Sequence, residues 1–148
     1  MFLMIKDDAI IILYDSNNRV LLQFRGPNAP NVKDKWSFFG GGIENGENPE
    51  EAVRRETFEE LNYALQNPRL IFTQDYDFGH KRGKKYCFIE KYDESKELVL
   101  GEGDGMRWFS FEELKSLDNL HDACKPFLEK TCDFLLKEQD MIFKKELA

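Results

Sequence analysis

Three consecutive glycines, Gly40-Gly41-Gly42, run within a few residues into Asn48-Pro49 and an acidic segment, and this junction limits the fold more than any other stretch. Glycine admits backbone conformations and close approaches that other residues resist. Asn48 is an N-cap residue, Pro49 suits the first helical position, and Glu51 stands where a capping box needs an acid. A helix over Pro49 to Leu61 is predicted, closed by Asn62, which tolerates the left-handed cap conformation.

The flanking segments read as strands. Asp8 to Tyr14 is β-branched and apolar, Asp15 to Asn18 has turn chemistry, and Arg19 to Arg25 follows, so a hairpin is expected. In its second strand Val20, Leu22 and Phe24 share one face, while Leu21, Gln23 and Arg25 share the other, which points Arg25 away from the core face. A loop from Gly26 to Lys35 leads to Trp36 to Phe39. Leu70 to Phe78 and Lys84 to Tyr92 form a second expected hairpin, joined by the basic turn Gly79 to Gly83. Met106 to Phe109 is a short strand, Ser110 caps a short helix through Leu117, and a long amphipathic helix spans about Lys125 to Lys145. Strands on both sides of one helix, with helices at the end, predict an α/β fold: a mixed β-sheet flanked by helices in an α-β-α sandwich. With 148 residues and no repeat, a single domain over 1–148 is expected.

Around the predicted helix, Ala52, Glu56, Glu59 and Glu60 share one arc, and Val53, Thr57 and Leu61 form the neighbouring apolar arc that should face the sheet. A solvated face is the ordinary reading of a Glu-rich stripe. Here the like charges crowd one another, which is unfavourable unless a cation neutralises them. Two histidines and three cysteines without a C-x-x-C pair offer no zinc cage, so oxygen donors and a hard cation, Mg²⁺ or Mn²⁺, are indicated. Cys87, Cys124 and Cys132 read as reduced, mostly buried thiols. Lys plus Arg number 21 against 28 Asp plus Glu; the net charge of −7 disfavours nucleic acid as a partner unless a local basic patch intervenes. The run Met1 to Ile5 stops at Lys6-Asp7-Asp8 with no basic residue before it, so neither a signal peptide nor a membrane span is expected, and a cytoplasmic location follows.

Gly41, five residues, Glu47, seven residues, Arg55-Glu56, two residues and Glu59-Glu60 together match the Nudix box, and the sequence resembles that family. Six fixed residues at fixed spacing would recur by chance roughly once in 10⁵ chains of this length, at about 0.06 per position. The box covers Gly41 to Tyr63, and softer similarity extends from Arg19 to about Leu114. Thr57 replaces an aliphatic residue of the family pattern, and Asn62 replaces a glycine.

The resemblance implies a metal-dependent hydrolase of a nucleoside diphosphate linked to another group. Glu56, Glu59 and Glu60 then look like metal-binding acids, with the Gly40 carbonyl; Arg55 would orient a glutamate, Glu47 would brace the loop, and Gly41 and Gly42 would lie against substrate. Arg25 resembles a family arginine that meets the phosphates, or is a surface strand-end residue. Glu102 and Asp104 are candidates for an extra acid, or belong to a plain turn. The basic turn His80 to Lys85 steers phosphates or is merely solvated. Asp118, Asn119, His121 and Asp122 lie where related enzymes read the base, or cap a helix. Phe72, Phe78, Tyr86 and Trp108 are candidate stacking rings, or core. The ADP-ribose-type proline and the NADH-type and coenzyme A-type signatures are missing. A MutT-type enzyme acting on nucleoside triphosphates, oxidised purines among them, is therefore expected, with a small-molecule nucleotide as partner and no prediction of oligomeric state. The alternatives are a catalytically silent nucleotide sensor, which the four box glutamates disfavour, and a pyrophosphohydrolase of nucleotide sugars or dinucleotides.

Overall fold

The computed structural model describes residues 3–30, 32–101 and 103–147. Its strands are β1 (Met4–Ile5), β2 (Asp8–Tyr14), β3 (Val20–Arg25), β4 (Lys35–Ser37), β5 (Phe39–Gly42), β6 (Arg69–Asp77), β7 (Lys81–Lys91) and β8 (Gly105–Phe109). Its helices are α1 (Pro49–Leu61), α2 (Phe111–Lys115) and α3 (Lys125–Leu147), the last preceded by a 3-10 turn over Asp122–Cys124. The sheet is mixed. β2 runs parallel to β7 from Asp8↔Lys85 to Tyr14↔Lys91 and antiparallel to β5, while β3 pairs with both β4 and β8.

The apolar run of β2 sends residues to two cores. Ala9, Ile11 and Leu13 pack with Ala52, Val53 and Leu61 of α1, and Ile12 packs with Cys87, Ile89, Phe127 and Leu135 beneath α3. This period-of-two division is what a sheet covered on both faces requires, and it realises the expected α-β-α sandwich. Among the described residues no helix is long and apolar enough to cross a membrane. The three cysteines are free thiols; Cys87 and Cys124 are buried.

Four local expectations change. The first hairpin is joined only at Tyr14↔Val20, because β5 takes the remainder of that edge of β2. β3 has no solvent face: Leu21 is as buried as Val20 and Leu22, so Arg25 leaves a strand packed on both sides. The glycine run, whose backbone freedom suggests a loop, is strand. Gly40, at φ +151°, lies so near β2 that a Cβ would meet the Ala9 carbonyl oxygen at 2.3 Å, a close approach that only glycine permits. Finally, the second hairpin turns over Phe78 to His80, with the Phe78 N–H donating to the Lys81 carbonyl, so the basic residues from Lys81 onward are strand. They gain partners there, since Met4 and Ile5 pair alongside Lys81 and Arg82.

Candidate active site

Helix α1 forms as its sequence dictates. Asn48 accepts the Glu51 N–H, Glu51 accepts the Asn48 N–H, and Asn62 adopts φ 52° at the other end. Ala52, Val53, Thr57 and Leu61 are buried against the sheet, which leaves the glutamate stripe at the margin of the sandwich. The Thr57 hydroxyl is buried and has no hydrogen-bond partner among the described residues.

Arg55 organises the stripe. Its Nε and Nη2 donate to the two Glu47 carboxylate oxygens at 2.7 and 2.9 Å, and Nη2 also donates to the Gly42 carbonyl at 3.0 Å. Nη1 reaches Glu56 at 2.9 Å and Glu59 at 3.4 Å. The bidentate pair with Arg55, with the Glu44 N–H, holds the Glu47 carboxyl down at about 2. Glu47 thereby closes the loop between β5 and α1. The crowding expected of the stripe is relieved in part from within, because the guanidinium that holds Glu47 also serves two stripe carboxylates, Glu56 and Glu59.

Gly41 faces the helix. A Cβ there would lie 2.5 Å from the Glu56 carboxylate, so the absence of a side chain lets that carboxylate rest on the strand. Glu60 is half-buried on the same stripe, and its main-chain carbonyl accepts the Gly101 N–H at 2.7 Å. Among the described residues no three acidic, histidine or cysteine side chains are already gathered as a metal cage. Glu56 and Glu59 instead converge on Arg55. The donors there are nevertheless all oxygens, two carboxylates drawn together and the Gly42 carbonyl, which is the chemistry a hard divalent cation takes.

On the other face of the sheet a cleft of about 510 Å³ opens beside Gly40 and Gly41. Arg25, Lys81, Lys85 and His121 line it, with Asp8, Gln23, Tyr76 and Phe78. In a chain of net charge −7 this is a local concentration of cations. Lys81 and Lys85 both lie over the Tyr76 ring, and Phe78 is 66% exposed at the mouth, its ring 5.6 Å from that of Tyr76. Burial, together with the lysine and arginine charges around it, pushes the His121 imidazole below its ordinary value. Burial raises the Asp8 carboxyl, opposed by Lys81, Lys85 and Lys6.

The expected site residues thus divide. Glu47, Arg55, Glu56, Glu59, Gly41 and Gly42 meet in one network, and Gly40, Gly41 and Arg25 line the cleft. Asp104 accepts the Gly26 N–H at 2.9 Å and ties down the chain that follows Arg25. Glu102 lies outside the described residues. His121 starts the 3-10 turn without a side-chain cap bond, so capping is not its role. Phe72 packs against Phe127, Trp108 against Tyr92 and Tyr86 against the core beneath α1, so of these four candidate rings Phe78 borders the cleft, beside Tyr76 and Phe38. Asp8 and Tyr76 were not anticipated there, whereas Lys81 and Lys85 belong to the basic segment expected to steer phosphates or to be merely solvated, and reach the cleft from β7 rather than from a turn. The signal lay in the alternation of β7, where Lys85 shares the face of buried Cys87 and Ile89.

The chain is similar to proteins of known sequence and structure. The chain is 30% identical over 122 residues to the 8-oxo-dGTP diphosphatase of Escherichia coli strain K12, covering 82% of this chain and 92% of that protein. It is 32% identical over 117 residues to the NAD-capped RNA hydrolase NudC of Chromobacterium violaceum, covering 78% of this chain but only 42% of that longer protein. The crystal structure of a MutT protein from Methanosarcina mazei Go1 superposes with a TM-score of 0.77 at 19% identity, over 90% of this chain and 96% of that one. The profile described as NUDIX domain matches residues 4–131, which contain the whole glycine strand, the Arg55 network and the cleft, and the chain belongs to the NUDIX domain family with the fold of its MutT-type members.

Proposed function

We propose that residues 1–148 form one Nudix hydrolase domain that cleaves a (deoxy)nucleoside triphosphate, including an oxidised purine such as 8-oxo-dGTP, to nucleoside monophosphate and pyrophosphate with Mg²⁺ or Mn²⁺. One observation carries this reading: a cation-lined cleft and a carboxylate-bearing helix meet across the strand of three glycines. Phosphates need the first, and metal-assisted attack on phosphorus needs the second. Similarity to the Escherichia coli diphosphatase across most of its length supports the choice of substrate. Nudix hydrolases generally use divalent metals, and Glu56, Glu59 and Glu60 with the Gly40 carbonyl are the groups we assign to hold one. Bound there, the cation neutralises phosphate charge and lowers the pKa of the attacking water.

The chain's own groups do the rest. Arg55 and Glu47 fix the loop and aim Glu56 and Glu59. Arg25, Lys81 and Lys85 pair with phosphate oxygens. A carboxylate of the α1 stripe or of a loop accepts the water's proton as the new oxygen–phosphorus bond forms on the phosphorus nearest the nucleoside, with the bridging oxygen leaving on pyrophosphate, or on its neighbour, with the bridging oxygen leaving on the monophosphate. The Tyr76 and Phe78 rings offer a surface for the base. We place this activity in the cytoplasm.

A second reading is hydrolysis at RNA 5′ ends, favoured by similarity to the Chromobacterium hydrolase and to RNA pyrophosphohydrolases. A screen of nucleoside triphosphates, 8-oxo-dGTP, nucleotide sugars, dinucleotides and 5′-triphosphorylated RNA, each with Mg²⁺, Mn²⁺ or a chelator, tests both. The expected result is metal-dependent release of monophosphate and pyrophosphate from a free triphosphate. Turnover confined to RNA would transfer the assignment to the second reading, and full activity after exhaustive chelation would overturn the metal's role.

A further inference from the structure

On the hydrolase reading the phosphates lie along Gly40 to Gly42, and one cation beside that strand has no assigned role. Lys6 occupies the break between β1 and β2. Its main chain is held from three directions: its N–H donates to the Arg82 carbonyl at 3.0 Å, its carbonyl accepts the Tyr76 hydroxyl, and Gly83 approaches that carbonyl so closely that a Cβ at 83 would lie 1.9 Å away. An ordinary surface lysine has no such anchorage.

The side chain runs across Gly42, where a Cβ would meet Lys6 Cε at 2.1 Å and Nζ at 2.7 Å. Glycine at 42 therefore makes room for this lysine. Gly42 pairs with Asp8, and paired residues of an antiparallel ladder face the same side of the sheet. The ammonium thus stands on the cleft face, whereas Gly41, one residue earlier, faces Glu56. The Gly42 carbonyl is meanwhile held by Arg55, so the lysine sits one residue from the metal-side network. Among the described residues its ammonium makes no ion pair. Asp8 feels its charge only at longer range, alongside Lys81 and Lys85.

An anchored, unpaired ammonium over a glycine, between a cationic cleft and a carboxylate network, has the chemistry to take an anion. We propose that Lys6 is a phosphate-binding residue of this site, holding the terminal phosphates that depart as pyrophosphate. A point charge with three donors suits a phosphate group whose charge rises as the bridging bond breaks.

Calorimetric titration with inorganic pyrophosphate, and separately with a nucleoside monophosphate, at fixed Mg²⁺ tests the proposal in the wild type, Lys6→Gln and Lys6→Arg. Loss of one charge-assisted contact should weaken pyrophosphate binding about tenfold in Lys6→Gln, with Lys6→Arg recovering most of it. Monophosphate binding should move by less than about threefold. Pyrophosphate binding unchanged by Lys6→Gln, absent from the wild type, or weakened together with monophosphate binding would overturn it. Because both probes are products, the test holds even if the wild type turns over no nucleotide, a result that would refute the hydrolase reading alone.

Discussion

Substituting Gly41 by alanine probes the contact between strand and helix with a single carbon. The new Cβ would lie 2.5 Å from Glu56 Cδ and Oε1 and 2.7 Å from Oε2. Ordinary contact begins near 3.4 Å, so the carboxylate must withdraw by about 0.9 Å. Gly41 is not among the glycines with positive φ, so alanine's backbone fits, and the group that yields is the free end of a side chain. Stability should fall by about 1 kcal/mol or less, roughly 3 °C in Tm. Catalysis should suffer more, because displacing a reacting group by about 1 Å costs about 100-fold in rate, or about 2.7 kcal/mol. The assay is pyrophosphate release with substrate concentration varied, beside a thermal melt followed by circular dichroism. The expected result is a kcat about 100-fold lower at nearly unchanged Tm. A folded variant with wild-type kcat would refute the reasoning, since Glu56 could not then stand at the reacting centre.

Two further predictions concern the same helix. Thr57→Val removes a buried hydroxyl that has no partner among the described residues and keeps the side chain's shape, so it should stabilise the protein by about 1 kcal/mol and raise Tm by about 3 °C; a destabilised valine variant in the same melt would show that the hydroxyl is bonded. Glu47, bonded to Arg55, has its carboxyl lowered from 4.5 to about 2, so its contribution to stability is fully present above pH 4.5 and is lost as pH falls through about 2. Urea melts across that range should show the stability gap between wild type and Glu47→Gln closing as pH falls, and a constant gap would count against the pairing.

Whatever was fixed by neighbours in the chain was legible before any coordinates. The α1 boundaries, its capping box and the left-handed Asn62 depend on residues three or four apart, and the structure reproduces each. The buried arc of Ala52, Val53, Thr57 and Leu61 follows from helical periodicity alone. Competition between distant segments was not legible. β2 reads as half of a hairpin, yet one of its edges goes to β7 through a parallel pairing and most of the other goes to the glycine strand. Nothing local announces that Gly40 to Gly42 pair as a strand, since glycine is depleted from strands unless another backbone or a side chain must come close. Here the Ala9 carbonyl, the Glu56 carboxylate and the Lys6 side chain do so in turn.

The site shows the same division. Glu47, Arg55 and Glu56 meet because eight or nine residues of loop and helix return the chain to the same edge, and Glu59 joins them one helical turn beyond Arg55. The cleft depends instead on where one hairpin turns. If the turn spans Gly79 to Gly83, Lys81 belongs to a solvated tip. With the turn at Phe78 to His80, Lys81 and Lys85 fall four residues apart on the cleft face of β7, while Lys84 is directed to Asp75. Period-two sorting thus gathers positive charge on one face of an acidic chain without changing its composition. Net charge excludes a broadly anion-binding surface, but it does not exclude an anion-binding cleft. The gathering of cations along this cleft is therefore set by strand register, which a count of lysines and glutamates cannot reveal.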